Sequence, residues 1–231
     1  MGGSATVWAS SFTMQPSDLA RFAADSLFPP SPQLRAAVDW VGDRDPAFRH
    51  IEVAVGPLSV RRWPVGLPSL VRIILGQQLS SRAAQAIFQR LVEQLELTPE
   101  NLVTASASTL QQVGLSHAKV ATCQRLAAAM LAGELSLTGL PSLSDADAIA
   151  HLTQIKGIGM WTAEIYLLFC LERLSRFPAA DLALQVGFQR LKQLETRPTP
   201  KDLLILTEPL HPYRGAVAHL LWHYYRHIVR S

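Results

Sequence analysis

The stretch Leu152–Asp181, LTQIKGIGMWTAEIYLLFCLERLSRFPAAD, decides the fold of this chain. It begins with a glycine-rich turn, Lys156-Gly157-Ile158-Gly159, continues as a run of mostly apolar residues, and ends with a lone aspartate after Phe177-Pro178. Glycine adopts backbone angles that other residues resist, and it lets two backbone segments approach closely. The stretch therefore predicts two helices joined by a tight turn.

The turn has the form hydrophobic-x-Gly-hydrophobic-Gly. In such a turn, the N–H groups of the backbone and of the following helix N-terminus form a site for an anion such as a DNA phosphate. Contacts of this kind position DNA without reading its sequence, and Lys156 would add a positive charge. A plain helix–helix corner with glycine at a helix end has the same pattern, so that alternative stays open here.

Asp181 stands at the start of a further helical pattern, in which Leu182, Leu184 and Phe188 recur at helical spacing. Aspartate is a common N-cap residue, which is the ordinary interpretation. Asp181 is also the only carboxylate between Ser175 and Phe188. It is therefore the candidate for a catalytic group.

Most of the chain after residue 32 has the periodicity of helices with short loops, and no segment has a convincing strand pattern. We predict an all-α fold of about ten helices. Among them are a helix over Leu67–Leu75, one capped by Ser80 or Ser81, and a last helix from about Pro212 to Val229. Residues 1–32, rich in Ser, Ala, Gly and Pro, are predicted to be a flexible or loosely docked leader.

Composition limits the classes of function. No apolar run reaches the ~18 residues that a membrane helix needs, and no signal peptide is evident. Two cysteines exclude a four-cysteine zinc or iron–sulfur site. The sequence pI of about 9.1 is compatible with an anionic partner such as nucleic acid. We expect a monomer located in the cytoplasm, associated with the nucleoid in a bacterium, or in the nucleus of a eukaryote.

Four motifs in order resemble those of the helix-hairpin-helix DNA glycosylases, in their alkyl-base branch (3-methyladenine DNA glycosylase II, AlkA-like). One motif is the glycine turn followed by Trp161-Thr162-Ala163, and another is the F-P-x-x-D-L-A-L-Q pattern around Asp181. The others are LVRIILGQQLS at residues 70–80 and PYRGAVAHLLW at residues 212–222. The resemblance covers about residues 33–230.

The resemblance implies a two-lobed helical fold with the active-site cleft between the lobes and no N-terminal β domain. One lobe would contain the hairpin (about 66–174), and the other would combine 33–65 with 175–231. It implies double-stranded DNA with alkylated bases as the substrate and Asp181 as the catalytic carboxylate. The residues expected in the base pocket are Trp161, Trp222, Tyr213 and Tyr166. Those expected to contact DNA are Lys156, Gly157, Ile158, Gly159, Gln77, Gln78 and Arg214.

Gln78, or its neighbour Gln77, matches the family residue that fills the gap left by a flipped nucleotide. The resemblance implies no metal or cofactor in the chemistry, but it allows a monovalent cation at the hairpin carbonyls. The sequence departs from the family pattern at several positions. Ala180 replaces a second aspartate, Gly215 replaces a serine, and Ile165 replaces a pocket tyrosine, so base stacking would be one-sided or use Tyr166 or Tyr213.

Bifunctional members of the family have a lysine two residues after the second hairpin glycine, where this chain has Trp161. Tryptophan cannot form a Schiff base, so we predict hydrolysis of the base without strand cleavage. The expected substrates are 3-methyladenine and 7-methylguanine, which are cationic and bind well over an indole face. Two alternatives stay open: a non-catalytic DNA-binding module, and a glycosylase for another lesion such as 1,N6-ethenoadenine, hypoxanthine or uracil.

Overall fold

A computed structural model describes residue 22 and residues 26–229 of the chain. Twelve α-helices lie in this part of the chain, and no β-strand does, which confirms the all-α prediction. In chain order they are α1 (Pro32–Arg44), α2 (Pro46–Val55), α3 (Leu67–Gly76), α4 (Ser81–Gln94), α5 (Pro99–Thr104), α6 (Ala107–Gln112), α7 (His117–Leu131), α8 (Asp145–Thr153), α9 (Met160–Leu171), α10 (Leu182–Leu191), α11 (Pro200–Leu206) and α12 (Arg214–Tyr224). Short 3₁₀ turns cover Leu140–Ser142 and Glu208–Leu210, and a π-helical turn covers Tyr225–Val229.

Polar N-cap residues start most of these helices. The side chain of Ser80 accepts a hydrogen bond from the backbone N–H of Ala83 and so starts α4. Asp45 caps α2, with proline in the first turn, and Thr199 forms a capping box with Asp202 at α11. Such caps satisfy backbone N–H groups that the helix leaves unpaired. They explain why short helices with little periodicity still begin at defined residues.

The chain divides into two compact units. The first combines Met1–Ser26 with Trp63–Ile158 and holds α3 to α8, and the second combines Leu27–Arg62 with Gly159–Ser231 and holds α1, α2 and α9 to α12. The main difference from the predicted lobes is α9, which we expected in the hairpin lobe. It joins the second unit because its side chains contact α12, as in the edge-to-face pair of Phe169 and Trp222. The expected position of an active-site cleft stays a prediction.

The core of the second unit includes α9, whose residues from Ile165 to Phe169 are all buried. Gly215, which replaces a family serine, lies at the start of α12. Its N–H donates to the carbonyl of Leu174 at 2.7 Å, and a Cβ at this position would lie 2.7 Å from a methyl carbon of Leu168. Close packing of α12 therefore explains the glycine.

Most of the predicted leader lies outside the described residues, but two phenylalanines of its described part contact the rest of the protein. Phe22 is buried and makes edge-to-face contacts with Trp63 and Phe88 in the first unit. In the second unit, Phe28 forms an isolated antiparallel bridge with Val60. Burial of the Phe22 ring offsets part of the cost of ordering the chain around it.

Candidate functional site

The carboxylate of Asp181 accepts three hydrogen bonds, all from the second unit. One carboxylate oxygen, Oδ1, accepts from the Leu184 backbone N–H at 3.2 Å, which makes Asp181 the N-cap of α10. The same oxygen accepts from the indole N–H of Trp222 at 3.1 Å, and Oδ2 accepts from the indole N–H of Trp161 at 3.0 Å. The carboxylate is only half-buried. The ordinary N-cap role and a role in chemistry are therefore compatible at this residue.

The two tryptophans reach Asp181 from different helices, Trp161 from the first turn of α9 and Trp222 from the last turn of α12. The sequence analysis expected both to face a base. Trp222 is only 8% exposed, because Phe169 and His219 pack against its ring. Trp161 is half-buried and retains more accessible surface. Both indoles therefore orient the carboxylate, and Trp161 has more surface for stacking.

The two tyrosines of the expected base pocket differ from each other. Tyr213 is half-exposed, precedes α12 and makes an edge-to-face contact with Trp40, with ring centroids 5.1 Å apart. Tyr166 has no exposed surface and lies in the core of the second unit. The assignment of Tyr166 to the pocket is therefore corrected: a ring buried on all sides has no face to offer to a base.

Arg214 was expected to contact DNA, but it is engaged within the protein. Its side chain is 18% exposed and forms an ion pair with Glu208 at 3.1 Å. Arg214 and Arg176 also interact electrostatically with Glu164, which follows Trp161 by one turn of α9. Burial raises the pKa of Glu164 to about 7, although both arginines act in the opposite direction. Glu164 was not among the residues predicted from the sequence, where its signal was a lone charged residue within a mostly apolar helix.

The hairpin glycines have different structural requirements. Gly157 has a φ of +106°, and a Cβ there would lie 2.0 Å from the hydroxyl oxygen of Thr122. Gly159 has an ordinary φ of −95°, and no atom lies within 4 Å of the position of its Cβ. Gly159 is the N-cap of α9 and makes no side-chain cap bond. Only Gly157 is required by the packing, whereas the surroundings of Gly159 leave room for a ligand.

The side chains of the hairpin are divided between core and surface. Ile158 is buried, with 3% of its surface exposed, so its side chain serves packing and only its backbone remains for a ligand. Lys156, by contrast, is exposed, and its backbone carbonyl accepts a hydrogen bond from Arg125 at 3.0 Å. The charged residue that was expected at the phosphate site is therefore accessible.

The two candidate glutamines at the end of α3 also differ. Gln77 is half-buried, and its side-chain amide donates to the carbonyl of Gly157 at 3.0 Å. Gln78 is exposed and has a φ of +56°, in the left-handed region that non-glycine residues rarely adopt. The structure thus separates a glutamine bound to the hairpin from a glutamine at the tip of the loop.

Several carbonyls of the hairpin accept hydrogen bonds within the protein, and a monovalent cation there stays a prediction. Those of Lys156 and Gly157 accept side-chain hydrogen bonds, and that of Ile155 accepts from the N–H of Ile158. The described residues contain no group of three or more His, Cys, Asp or Glu side chains arranged to hold a metal ion. Nor does any helix in the described part have the length and apolarity to cross a membrane.

Comparisons with known proteins agree with the resemblance inferred from the sequence. A family model described as "HhH-GPD superfamily base excision DNA repair protein" matches residues 71–212, more than half of the chain. DNA-3-methyladenine glycosylase 1 of Schizosaccharomyces pombe is 35% identical over 158 residues, which cover 66% of this chain and 69% of that protein.

Two solved structures are similar to this chain along most of their length. The 3-methyladenine DNA glycosylase of S. pombe in complex with abasic DNA has a TM-score of 0.77 and 31% identity, and the match covers 81% of this chain and 95% of that one. The DNA-3-methyladenine glycosidase of Bacillus halodurans has a TM-score of 0.66 and 30% identity, with 89% and 100% covered. The chain belongs to the HhH-GPD superfamily of base excision DNA repair proteins.

Proposed function

We propose that this protein is a DNA glycosylase that hydrolyses the N-glycosidic bond of alkylated purines, of the 3-methyladenine and 7-methylguanine type, in double-stranded DNA. The observation that carries the proposal is the Asp181 carboxylate, held by two indole N–H groups and a helix N-terminus. A protein that only gripped DNA through its backbone would have no use for such a group. The relatives named DNA-3-methyladenine glycosylase support the same activity.

The substrate base is buried in the duplex, so it must be extruded before reaction, at a cost of a few kcal/mol. We assign the gap-filling role to Gln78, since it is exposed at the tip of its loop whereas Gln77 is bound to the hairpin. The exposed backbone at Gly157 and Gly159, together with Lys156, would hold a phosphate. A cationic alkylated base would stack on the accessible part of Trp161.

In the reaction, the C1′–N bond breaks and its electron pair stays on the departing base, which becomes neutral. The sugar becomes positively charged, and the Asp181 carboxylate would stabilise that charge electrostatically. Water then forms the O–C1′ bond, and its proton passes through Asp181 to solvent. The products are a free base and an abasic site. An electron-poor, cationic base leaves readily, so no general acid is needed.

We also propose that the enzyme does not cut the strand. Trp161 occupies the position of the lysine nucleophile of bifunctional members. Of the four lysines, Lys192 is paired with Asp45, Lys119 is bonded to the Leu75 carbonyl, Lys156 is assigned to a DNA phosphate, and Lys201 lies on α11, away in sequence from the hairpin and from Asp181. Borohydride trapping on abasic DNA should therefore give no covalent adduct, and the DNA should break only after treatment with alkali. A trapped adduct would contradict this part of the proposal.

The activity is tested by base release from methylated duplex DNA. Wild-type protein should release methylated purines, and Asp181→Asn should lower the rate by about 10²–10³-fold or more, since a neutral amide cannot stabilise the cationic sugar. The variant should still bind abasic DNA, which controls for its folding. Base release retained by Asp181→Asn would overturn the assignment of Asp181, and no release by the wild type would favour a non-catalytic DNA-binding protein.

The proposal includes action as a monomer on DNA, in the compartment that holds the chromosome. Size-exclusion chromatography with light scattering, on the protein alone and on its complex with a short duplex, should give a mass of one chain per duplex. A stable dimer would contradict this expectation.

A further inference from the structure

Gln77 lies in the loop after α3 and bonds to a different segment of the first unit. Its amide group donates to the carbonyl of Gly157 in the hairpin at 3.0 Å. The next residue, Gln78, makes the exposed tip of the loop, with a left-handed backbone conformation. The bond therefore joins the segment that carries the gap-filling residue to the segment assigned to phosphate binding.

One face of α7 supports the same two segments. Lys119 donates to the carbonyl of Leu75, at the end of α3, at 2.8 Å, and Arg125 donates to the carbonyl of Lys156 at 3.0 Å. Between them, buried Thr122 packs under Gly157. Positions 119, 122 and 125 are spaced by three residues and so lie on one side of the helix. The loop and the hairpin are thus both supported by α7. The Gln77 amide also joins them directly, through its hydrogen bond to Gly157.

We propose that Gln77 is a positioning residue that locks the Gln78 loop to the hairpin. When the hairpin holds a phosphate, the hydrogen bond from Gln77 positions Gln78 at the gap that the flipped base leaves in the duplex. The loop then needs no separate ordering step before Gln78 fills the gap. This inference rests on the proposed function, in which Gln78 occupies the gap. It assigns the two adjacent glutamines separate tasks, one inside the protein and one in the DNA.

The test is a double-mutant cycle between Gln77→Met and Gln78→Ala. Methionine has a similar length to glutamine but no N–H donor and no charge, so it removes the bond without altering the electrostatics towards DNA. The readouts are the rate constant for base release under single-turnover conditions and the affinity for duplex DNA that contains a stable abasic analogue. Gln89→Met, an exposed glutamine on α4, is the matched control and should leave both quantities unchanged.

Each single variant should reduce both quantities, Gln77→Met by about three- to tenfold, as expected for one lost hydrogen bond. The double variant should be no worse than Gln78→Ala alone, because a lock has no effect once the residue it positions is absent. Additive effects would overturn the inference, since they would show that Gln77 acts independently of Gln78. An unaffected Gln77→Met would also overturn it.

A merely structural role for Gln77 would lower the melting temperature and would reduce base release by the same factor in both backgrounds. The cycle distinguishes this outcome from positioning. The affinity for the abasic analogue requires no chemistry, so it can be measured even if the wild-type protein releases no base. In that event the proposed function fails, while the cycle still decides whether Gln77 positions Gln78.

Discussion

The segments of the first unit that we propose to contact DNA and the proposed catalytic site at Asp181 in the second unit are built differently. In the first unit, side chains of Gln77 and Arg125 bind backbone carbonyls, and the exposed groups include Gly157, Lys156 and Gln78. In the second unit, side chains bind a side chain: two indoles hold the Asp181 carboxylate, which a backbone N–H also caps. Binding DNA of any sequence needs backbone groups placed to contact phosphates. Breaking the glycosidic bond needs one oriented negative charge near the sugar.

We expect the largest effect from Gly157→Ala, a substitution in the backbone turn of the hairpin. The new methyl group would overlap the buried Thr122, and alanine would resist the φ of +106°. We expect a loss of stability of about 3 kcal/mol, which corresponds to a fall in melting temperature of about 6–12 °C. Affinity for abasic DNA should fall as well. Differential scanning calorimetry and fluorescence anisotropy measure the two effects.

Gly159→Ala is the matched control for stability, because its Cβ would meet no atom within 4 Å and its φ is ordinary. Its melting temperature should stay within about 2 °C of the wild type, as for most substitutions away from packed features. Equal destabilisation by the two variants would contradict the conclusion that only Gly157 is required by packing.

On the side-chain side, Trp161→Phe removes one of the two indole donors of Asp181. Phenylalanine keeps an aromatic face for a base but leaves Oδ2 without that hydrogen bond. A less fixed carboxylate should lower the rate of base release at saturating enzyme by about tenfold. Affinity for abasic DNA should change little, so the effect should appear in kcat and not in KM.

Trp222→Phe should act in the same direction, through Oδ1. Trp63→Phe is the control, because Trp63 belongs to the first unit and packs there on Phe22. It should leave the rate of base release unchanged. If all three variants behave alike, the two indoles of the second unit have no special role in orienting Asp181.

The glycine turn and the lone aspartate were readable from the sequence because each is a local pattern. The turn pattern indicated that glycine is needed at position 157, where φ is +106°. The residues after Asp181 predicted that a helix starts there, and the structure confirms that start. The all-α fold followed from periodicity in the same way. Tyr166 was wrongly placed because its helix is apolar on all sides, so spacing gives no indication of which face is accessible.

The hydrogen bonds made by the side chains of Gln77, Arg125 and Lys119 could not be predicted from the sequence, for a related reason. Each joins residues that are 31 to 80 positions apart in the chain, and each ends on a backbone carbonyl, which every residue has. A carbonyl acceptor leaves no mark in the sequence. By contrast, the indole donors of Asp181 were found through the family resemblance, although the role expected for them was stacking.

The smallest expected effect concerns Glu164, one turn after Trp161. Its pKa is about 7 in the folded protein because of burial, against an ordinary value of 4.5. The folded state therefore binds more protons than the unfolded state between these values, so the contribution of Glu164 to stability falls as pH rises from about 4.5 to about 7. Glu164→Gln carries no charge at any pH and should escape this loss.

The difference in melting temperature, Glu164→Gln minus wild type, should therefore grow over this pH range, by on the order of 5 °C, and then level off. His219 has the opposite dependence, since burial lowers its pKa to about 3, but it is present in both proteins and cancels in the difference. Glu93→Gln, exposed on α4, is the control and should give no such rise. A constant difference for Glu164→Gln would mean that the two arginines offset the burial of Glu164 completely.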